Sequence, residues 1–221
     1  MTMIDRLLES NKKFISDEFE PNSSHYSKIA AKQTPRAVWI GCADSRVSED
    51  IITGSRPGTI FVHRNIANMV SFNDVGIAAL LEYALVHLKI KDVIVCGHTR
   101  CGGIAALENG VKENYIADWL CVGSEAKTAA DEIAQKQRLS PDEKLELLTM
   151  ENVRVQLNHL KKLTLIRDMF QKGKTLRLHG WLYRVETGKI DVLIDGETGR
   201  ESSVMRRFKK TSRKTTPAKS K

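Results

Sequence analysis

Lys91-Asp-Val-Ile-Val-Cys-Gly-His-Thr-Arg-Cys-Gly-Gly103 is a short β-branched run that stops at a Gly-containing turn, after which a Gly-Gly pair opens a helix. An apolar run bounded by turn residues is the pattern of a strand buried on both faces, as in parallel sheets. Working outward, Arg36-Ala-Val-Trp-Ile-Gly-Cys-Ala-Asp-Ser-Arg46 repeats the design. Cys42 and His98 therefore fall at the carboxyl ends of two strands. Open α/β sheets gather their sites along that edge, so residues 56 apart in sequence can meet there. Cys101, three residues after His98, reaches the same point from one turn. Two thiolates and an imidazole suit zinc. A structural zinc is held by four protein groups, whereas three leave a position for water or substrate, so the spacing predicts an open zinc site.

The flanking sequence extends the same alternation. An amphipathic helix is expected from about Ile4 to Ser16, a second strand over Thr59 to His63, and a helix from about Asp74 to Leu88. Residues 124 to 171 read as mostly helical, with Ser140-Pro141 marking a new start. Strands over Lys174 to Leu182 and Ile190 to Ile194, joined through Glu186-Thr-Gly-Lys, complete an α/β chain without internal repeats. Strands separated by crossover helices imply a mostly parallel sheet with right-handed connections, flanked by helices.

Composition bounds the rest. A chain of 221 residues with 41% hydrophobic content buries one substantial core, and residues 1 to 205 are expected to form a single domain. No run approaches the roughly 18 apolar residues of a membrane span. The charged start Met1-Thr-Met-Ile-Asp-Arg6 lacks signal-peptide character, which points to the cytoplasm. Four cysteines are too few for a disulfide framework, and zinc thiolates need a reducing compartment. Cys96 reads as a small buried hydrophobe and Cys121 as part of a helix face. His63 and His179 read as structural histidines on strands rather than ligands. The net charge of +8 is that of residues 206 to 221, which carry eight Lys or Arg and no acid; the other 205 residues are formally neutral. This basic tail is expected to be disordered, with an anionic partner as one possible contact.

Five stretches carry a resemblance to a known family: Gln33-Thr-Pro35, Trp39-Ile-Gly-Cys-Ala-Asp-Ser-Arg-Val47, Pro57-Gly-Thr-Ile-Phe-Val-His-Arg-Asn-Ile-Ala-Asn68, Cys96-Gly-His-Thr-Arg-Cys-Gly-Gly103 and His179-Gly-Trp-Leu-Tyr183. Together they resemble the β-class carbonic anhydrases over roughly residues 1 to 195. The resemblance implies a strand order of 2-1-3-4, a homodimer or tetramer, and one Zn2+ per subunit on Cys42, His98 and Cys101. It also implies reversible hydration of carbon dioxide to bicarbonate and a proton by zinc-bound hydroxide, a lyase activity. Asp44, paired with Arg46, would orient that hydroxide, or swing onto zinc as a fourth ligand in an inactive state. Gln33, Phe61, Ile66, Tyr83 and the Gly102 backbone would line the substrate pocket. Trp39, Arg64 and Tyr183 match a noncatalytic bicarbonate pocket that marks a regulated subclass, the type II enzymes, and an indole, a guanidinium and a phenol are apt donors for a small anion.

Three other functions compete. Carbonyl sulfide or carbon disulfide could be hydrolysed on the same site. A noncatalytic zinc-binding or redox-sensing protein would leave Asp44, Arg46 and Gln33 idle. A nucleic-acid binder would rest on the tail alone, without a recognition helix or stacking aromatics.

Overall fold

The computed structural model describes residues 1 to 208. Two units separate by internal contacts, Met1–Pro35 and Arg36–Lys221. In the first, helix α1 (Met3–Phe14) starts with a capping box between Thr2 and Asp5, and one wider turn (Ile15–Phe19) leads to α2 (Ser23–Ala31). The rings of Phe19 and Tyr26 stack at 4.6 Å, with Phe14 edge-on to Tyr26 at 5.9 Å. This small aromatic group ties the two helices together.

The second unit is built on a sheet of β1 (Ala37–Cys42), β2 (Ile60–Asn65), β3 (Asp92–His98), β4 (Arg177–Tyr183) and β5 (Ile190–Ile194), in the order β2-β1-β3-β4-β5. The first four strands are parallel, in the expected order, and β5 adds antiparallel to β4. Side-chain alternation feeds two cores. Val38, Ile40, Val93 and Val95 enter the larger one, while Trp39, Ile94, Cys96 and Tyr183 enter a smaller one.

Among the described residues of this unit, seven α-helices precede the last two strands: α3 (Glu49–Thr53), α4 (Val75–Glu82), α5 (Gly102–Asn109), α6 (Asn114–Leu120), α7 (Ser124–Gln137), α8 (Pro141–Lys162) and α9 (Thr164–Gln171), which leads into β4; α10 (Ser203–Arg206) follows β5. Helix α8 begins where Ser140-Pro141 predicts, with Ser140 and Glu143 forming a reciprocal cap. It lies close on the sheet because Gly97 and Gly180 carry no side chain. A Cβ at either would sit 2.8 Å from Val153 or Leu157. Helix α7 packs against α8, and it buries Ala126, Ala130 and Ala134, which recur every four residues along one face. The helix expected over 74 to 88 instead ends at Glu82 and widens into a π turn over Tyr83–His87.

The end of the fold lies further on than the composition of the tail implied. Phe208 is buried, Met205 likewise, and Arg207 pairs with Glu146 at 2.7 Å while lying over the Phe208 ring. Charge and the lack of apolar periodicity place the boundary at 206, and neither registers a lone aromatic anchor such as Phe208. The remaining basic residues, 209 to 221, lie outside the described residues. Among the described residues, no helix is long and apolar enough to cross a membrane. A chain ending at Val204 is expected to melt well below one ending at Phe208, by roughly 5 to 10 °C for a loss of about 3 kcal/mol. Equal melting midpoints by calorimetry would show that Met205 and Phe208 contribute no packing.

Candidate metal centre

Adjacent strands deliver the ligands. The β1–β3 register sets Gly41 opposite Cys96, so Cys42 ends its strand level with Gly97 and His98 stands one residue beyond. Cys101 occupies the N-cap position of α5. The ligand atoms of Cys42, His98 and Cys101 all lie within 4.8 Å of one another, and all three side chains are buried. No other such cluster occurs among the described residues.

Three observations fit zinc. The Cys42 and Cys101 sulfurs are 3.8 Å apart, and two sulfurs each about 2.3 Å from a tetrahedral zinc are separated by about 3.8 Å. His98 Nδ1 lies 2.9 Å from the Thr99 carbonyl, so that nitrogen carries the proton. The opposite nitrogen, Nε2, is then a buried acceptor with no hydrogen-bond partner. Third, the thiols conflict. Contact with Cys101 brings the Cys42 thiol down against the cost of burial, helped by backbone N–H groups of Ala67 and Asp44. The Cys42 charge and burial push Cys101 up, although the Ile104 and Gly103 N–H groups at the start of α5 favour its thiolate. A divalent cation removes that conflict by compensating both charges.

Asp44 stands beside this set. Arg46 grips it with Nε on Oδ1 at 2.9 Å and Nη2 on Oδ2 at 2.7 Å, and the Arg46 backbone N–H also reaches Oδ1 at 2.9 Å. The guanidinium holds the carboxyl well below the usual carboxylate range. Oδ2 is 3.8 Å from His98 Nε2. Arg46 Nη2 also donates to the Arg100 carbonyl at 3.0 Å, linking the segment after β1 to the turn between the other two ligands.

The pocket residues expected from the sequence divide. Ile66 packs toward the site: a Cβ on Gly103 would meet its Cγ2 at 2.8 Å. Gly102 is open, with nothing within 4 Å of a Cβ. Phe61 pairs with Val38, four residues before Cys42, which is about 13 Å back along the strand. Tyr83 stacks on Phe61 at 5.9 Å and is half exposed. Within this chain, Phe61 and Tyr83 therefore do not converge on the ligands, because the parallel register fixes their depth in the sheet. Gln33 belongs to the first unit and is exposed.

Trp39, Arg64 and Tyr183 lie near the opposite face of the sheet. Trp39 is fully buried and its Nε1 has no partner, while Gly41 leaves room for the indole, since a Cβ there would fall 2.3 Å from Nε1. Arg64 braces the segment after β1, donating to the Cys42 carbonyl at 3.0 Å, the Asp44 carbonyl at 2.7 Å and the Val47 carbonyl. His63 Nε2 is engaged by Asn65 at 3.2 Å, and His179 by Asp92 at 3.0 Å and the Gly196 N–H. Cys96 is buried, its thiol pushed up by burial; Cys121 is exposed in a turn after α6.

Sequence reasoning missed a buried amide network beneath the site. Ala67 and Asn68 are consecutive left-handed residues, at φ 61° and 48°, a conformation that costs a non-glycine residue roughly 1 kcal/mol or more. They are held from a distance. Asn152 donates to the Ala67 carbonyl at 3.0 Å, Gln156 to Asn152 at 2.8 Å, and Trp119 Nε1 to the Ile66 carbonyl at 2.8 Å. The Gln156 amide oxygen accepts from the Val70 N–H at 2.8 Å.

Comparison with known proteins points one way. The family described as "Carbonic anhydrase" matches residues 37 to 190. A carbonic anhydrase of Pseudomonas aeruginosa is 32% identical over 200 residues, covering 88% of this chain and 89% of that one. The β-carbonic anhydrase of Coccomyxa, solved with acetazolamide, superimposes with a TM-score of 0.81 at 33% identity over 88% of each chain. One of two tetrameric β-carbonic anhydrases from Sordaria macrospora gives 0.78 at 34% identity, over 86% of this chain and 96% of that one.

Proposed function

The chain belongs to the β-carbonic anhydrase family, zinc enzymes that interconvert carbon dioxide and bicarbonate, and we propose that Cys42, His98 and Cys101 hold its zinc while Asp44 and Arg46 order the attacking water. The observation that carries this reading is the buried, partnerless His98 Nε2 facing two thiols 3.8 Å apart, with Asp44 Oδ2 3.8 Å from that nitrogen. Zinc, when bound there, supplies the Lewis acidity that brings the ionisation of water toward neutral pH.

The chain's own residues do the rest. Asp44, kept anionic by Arg46, can only accept hydrogen bonds. It accepts a hydrogen bond from the attacking oxygen, whose hydrogen stays in place, and so leaves a lone pair facing carbon dioxide. The bond formed is carbon to oxygen, one C=O π pair moves to its oxygen, and the proton lost by water passes to solvent buffer, so carbon dioxide and water become bicarbonate and a proton. Ile66 and the open backbone at Gly102 supply the apolar and small surfaces a linear, nonpolar substrate needs. Phe61, partly buried, and the half-exposed Tyr83, both distant from their own ligands, are assigned to the site of a second copy, in keeping with the tetrameric relatives from Sordaria macrospora. Gln33 is assigned the role of an amide donor to substrate oxygen. The carbonic anhydrase relatives favour carbon dioxide over carbonyl sulfide or carbon disulfide, and the geometry of the Asp44–Arg46 pair disfavours an idle zinc site. Free thiols at the ligand positions agree with a cytoplasmic, reducing setting.

A regulatory reading is favoured by one feature, the buried Trp39 Nε1 donor without an acceptor. We assign Trp39, Arg64 and Tyr183 to a bicarbonate pocket whose occupation competes with the Arg64 contacts to the carbonyls of residues 42, 44 and 47 and so frees Asp44 from Arg46.

Two outcomes test these readings. Asp44→Asn should keep one zinc per chain by metal analysis yet lose about 100-fold or more in stopped-flow carbon dioxide hydration; unchanged turnover would leave zinc with only a bracing role. The regulatory reading predicts activity that falls as pH drops from alkaline to neutral, and Trp39→Phe should flatten that fall. A pH profile identical to the wild type would remove the regulatory pocket.

A further inference from the structure

The turn between His98 and Cys101 contains only Thr99 and Arg100, and Arg100 is left-handed at φ 54°. A non-glycine residue stays there only when its surroundings impose it. Thr99 is pinned on both sides. Its N–H donates to the Tyr183 carbonyl at 3.0 Å, and its hydroxyl accepts from the Val185 N–H at 3.0 Å. That hydroxyl then donates to Glu186 Oε2 at 2.6 Å, while Arg100 Nε donates to the other oxygen, Oε1, at 2.7 Å. One carboxylate from the β4–β5 turn thus spans both residues between the two ligands. The Arg100 carbonyl, turned the other way, accepts from Arg46 Nη2 at 3.0 Å.

We propose that Glu186 is a positioning residue for the metal centre: by clamping the Thr99 hydroxyl and the Arg100 guanidinium it fixes the left-handed turn that aims Cys101 beside His98 and presents the Arg100 carbonyl to Arg46. Glu186 touches neither ligand. Its action runs through the turn, as an outer partner that orients ligands to a metal. The Thr99 carbonyl that accepts from His98 Nδ1 belongs to the same clamped turn, so ring orientation and thiol direction share one support. The proposal rests on the zinc reading given above.

The test is the rate at which the zinc-loaded full chain releases metal to an excess of a chromogenic chelator. Glu186→Ala should release zinc about tenfold faster than the wild type, and Glu186→Gln, which keeps one acceptor, by a smaller factor. The melting midpoint of the zinc-free chain should move little in either variant. Unchanged release in both overturns the proposal; so does faster release accompanied by a fall of more than about 5 °C in the zinc-free midpoint, which marks general loosening. Should Glu186→Ala fail to fold, Glu186→Gln carries the test alone. A wild-type chain that takes up no zinc overturns the zinc reading and this proposal together, whereas a zinc-loaded wild type beside unmoved variants overturns the proposal only.

Discussion

Two thiols held 3.8 Å apart in a dry site cannot both ionise unless a cation shares them. That constraint organises the surrounding structure. The sheet register brings Cys42 level with the end of β3, the start of α5 offers N–H groups to Cys101, and the Thr99 carbonyl takes the proton side of His98 so that the other nitrogen faces inward. Each device places one ligand or favours its metal-binding form. None supplies positive charge of its own within the set, and a divalent metal is what completes it.

The centre is also mechanically coupled. Arg46 holds Asp44 and the Arg100 carbonyl with the same nitrogen, Arg64 braces the carbonyls of Cys42, Asp44 and Val47, and Asn152, itself held by Gln156, reaches from α8 to the carbonyl of the left-handed Ala67. The segment after β1, the turn between His98 and Cys101 and the left-handed Ala67 are therefore each held by side chains distant in sequence. Such a shell limits how far Asp44 can travel without breaking a charged contact.

Local chemistry made much of this legible in the sequence. β-branched runs ending in glycine turns marked β1 and β3, Ser140-Pro141 marked the start of α8, and ligand spacing marked the metal set. What escaped was long-range. Glu186 meets Thr99 from 87 residues away and Asn152 meets Ala67 from 85, and neither end carries a signature of its partner. The π turn at Tyr83–His87 and the left-handed Ala67 are imposed by packing rather than by propensity. Phe61 and Tyr83 are expected in the pocket by resemblance alone; the register that keeps them from their own ligands needs three dimensions. Charge concealed the anchor at Phe208 in the same way.

X-ray absorption at the zinc edge of the purified chain, held at alkaline pH, addresses the three-ligand centre most directly. The account predicts two sulfur scatterers at about 2.3 Å and two nitrogen or oxygen scatterers at about 2.0 Å, one of them from solvent. A shell of three or four sulfurs, a sphere closed by protein groups alone at that pH, or a chain that carries no stoichiometric zinc would contradict it.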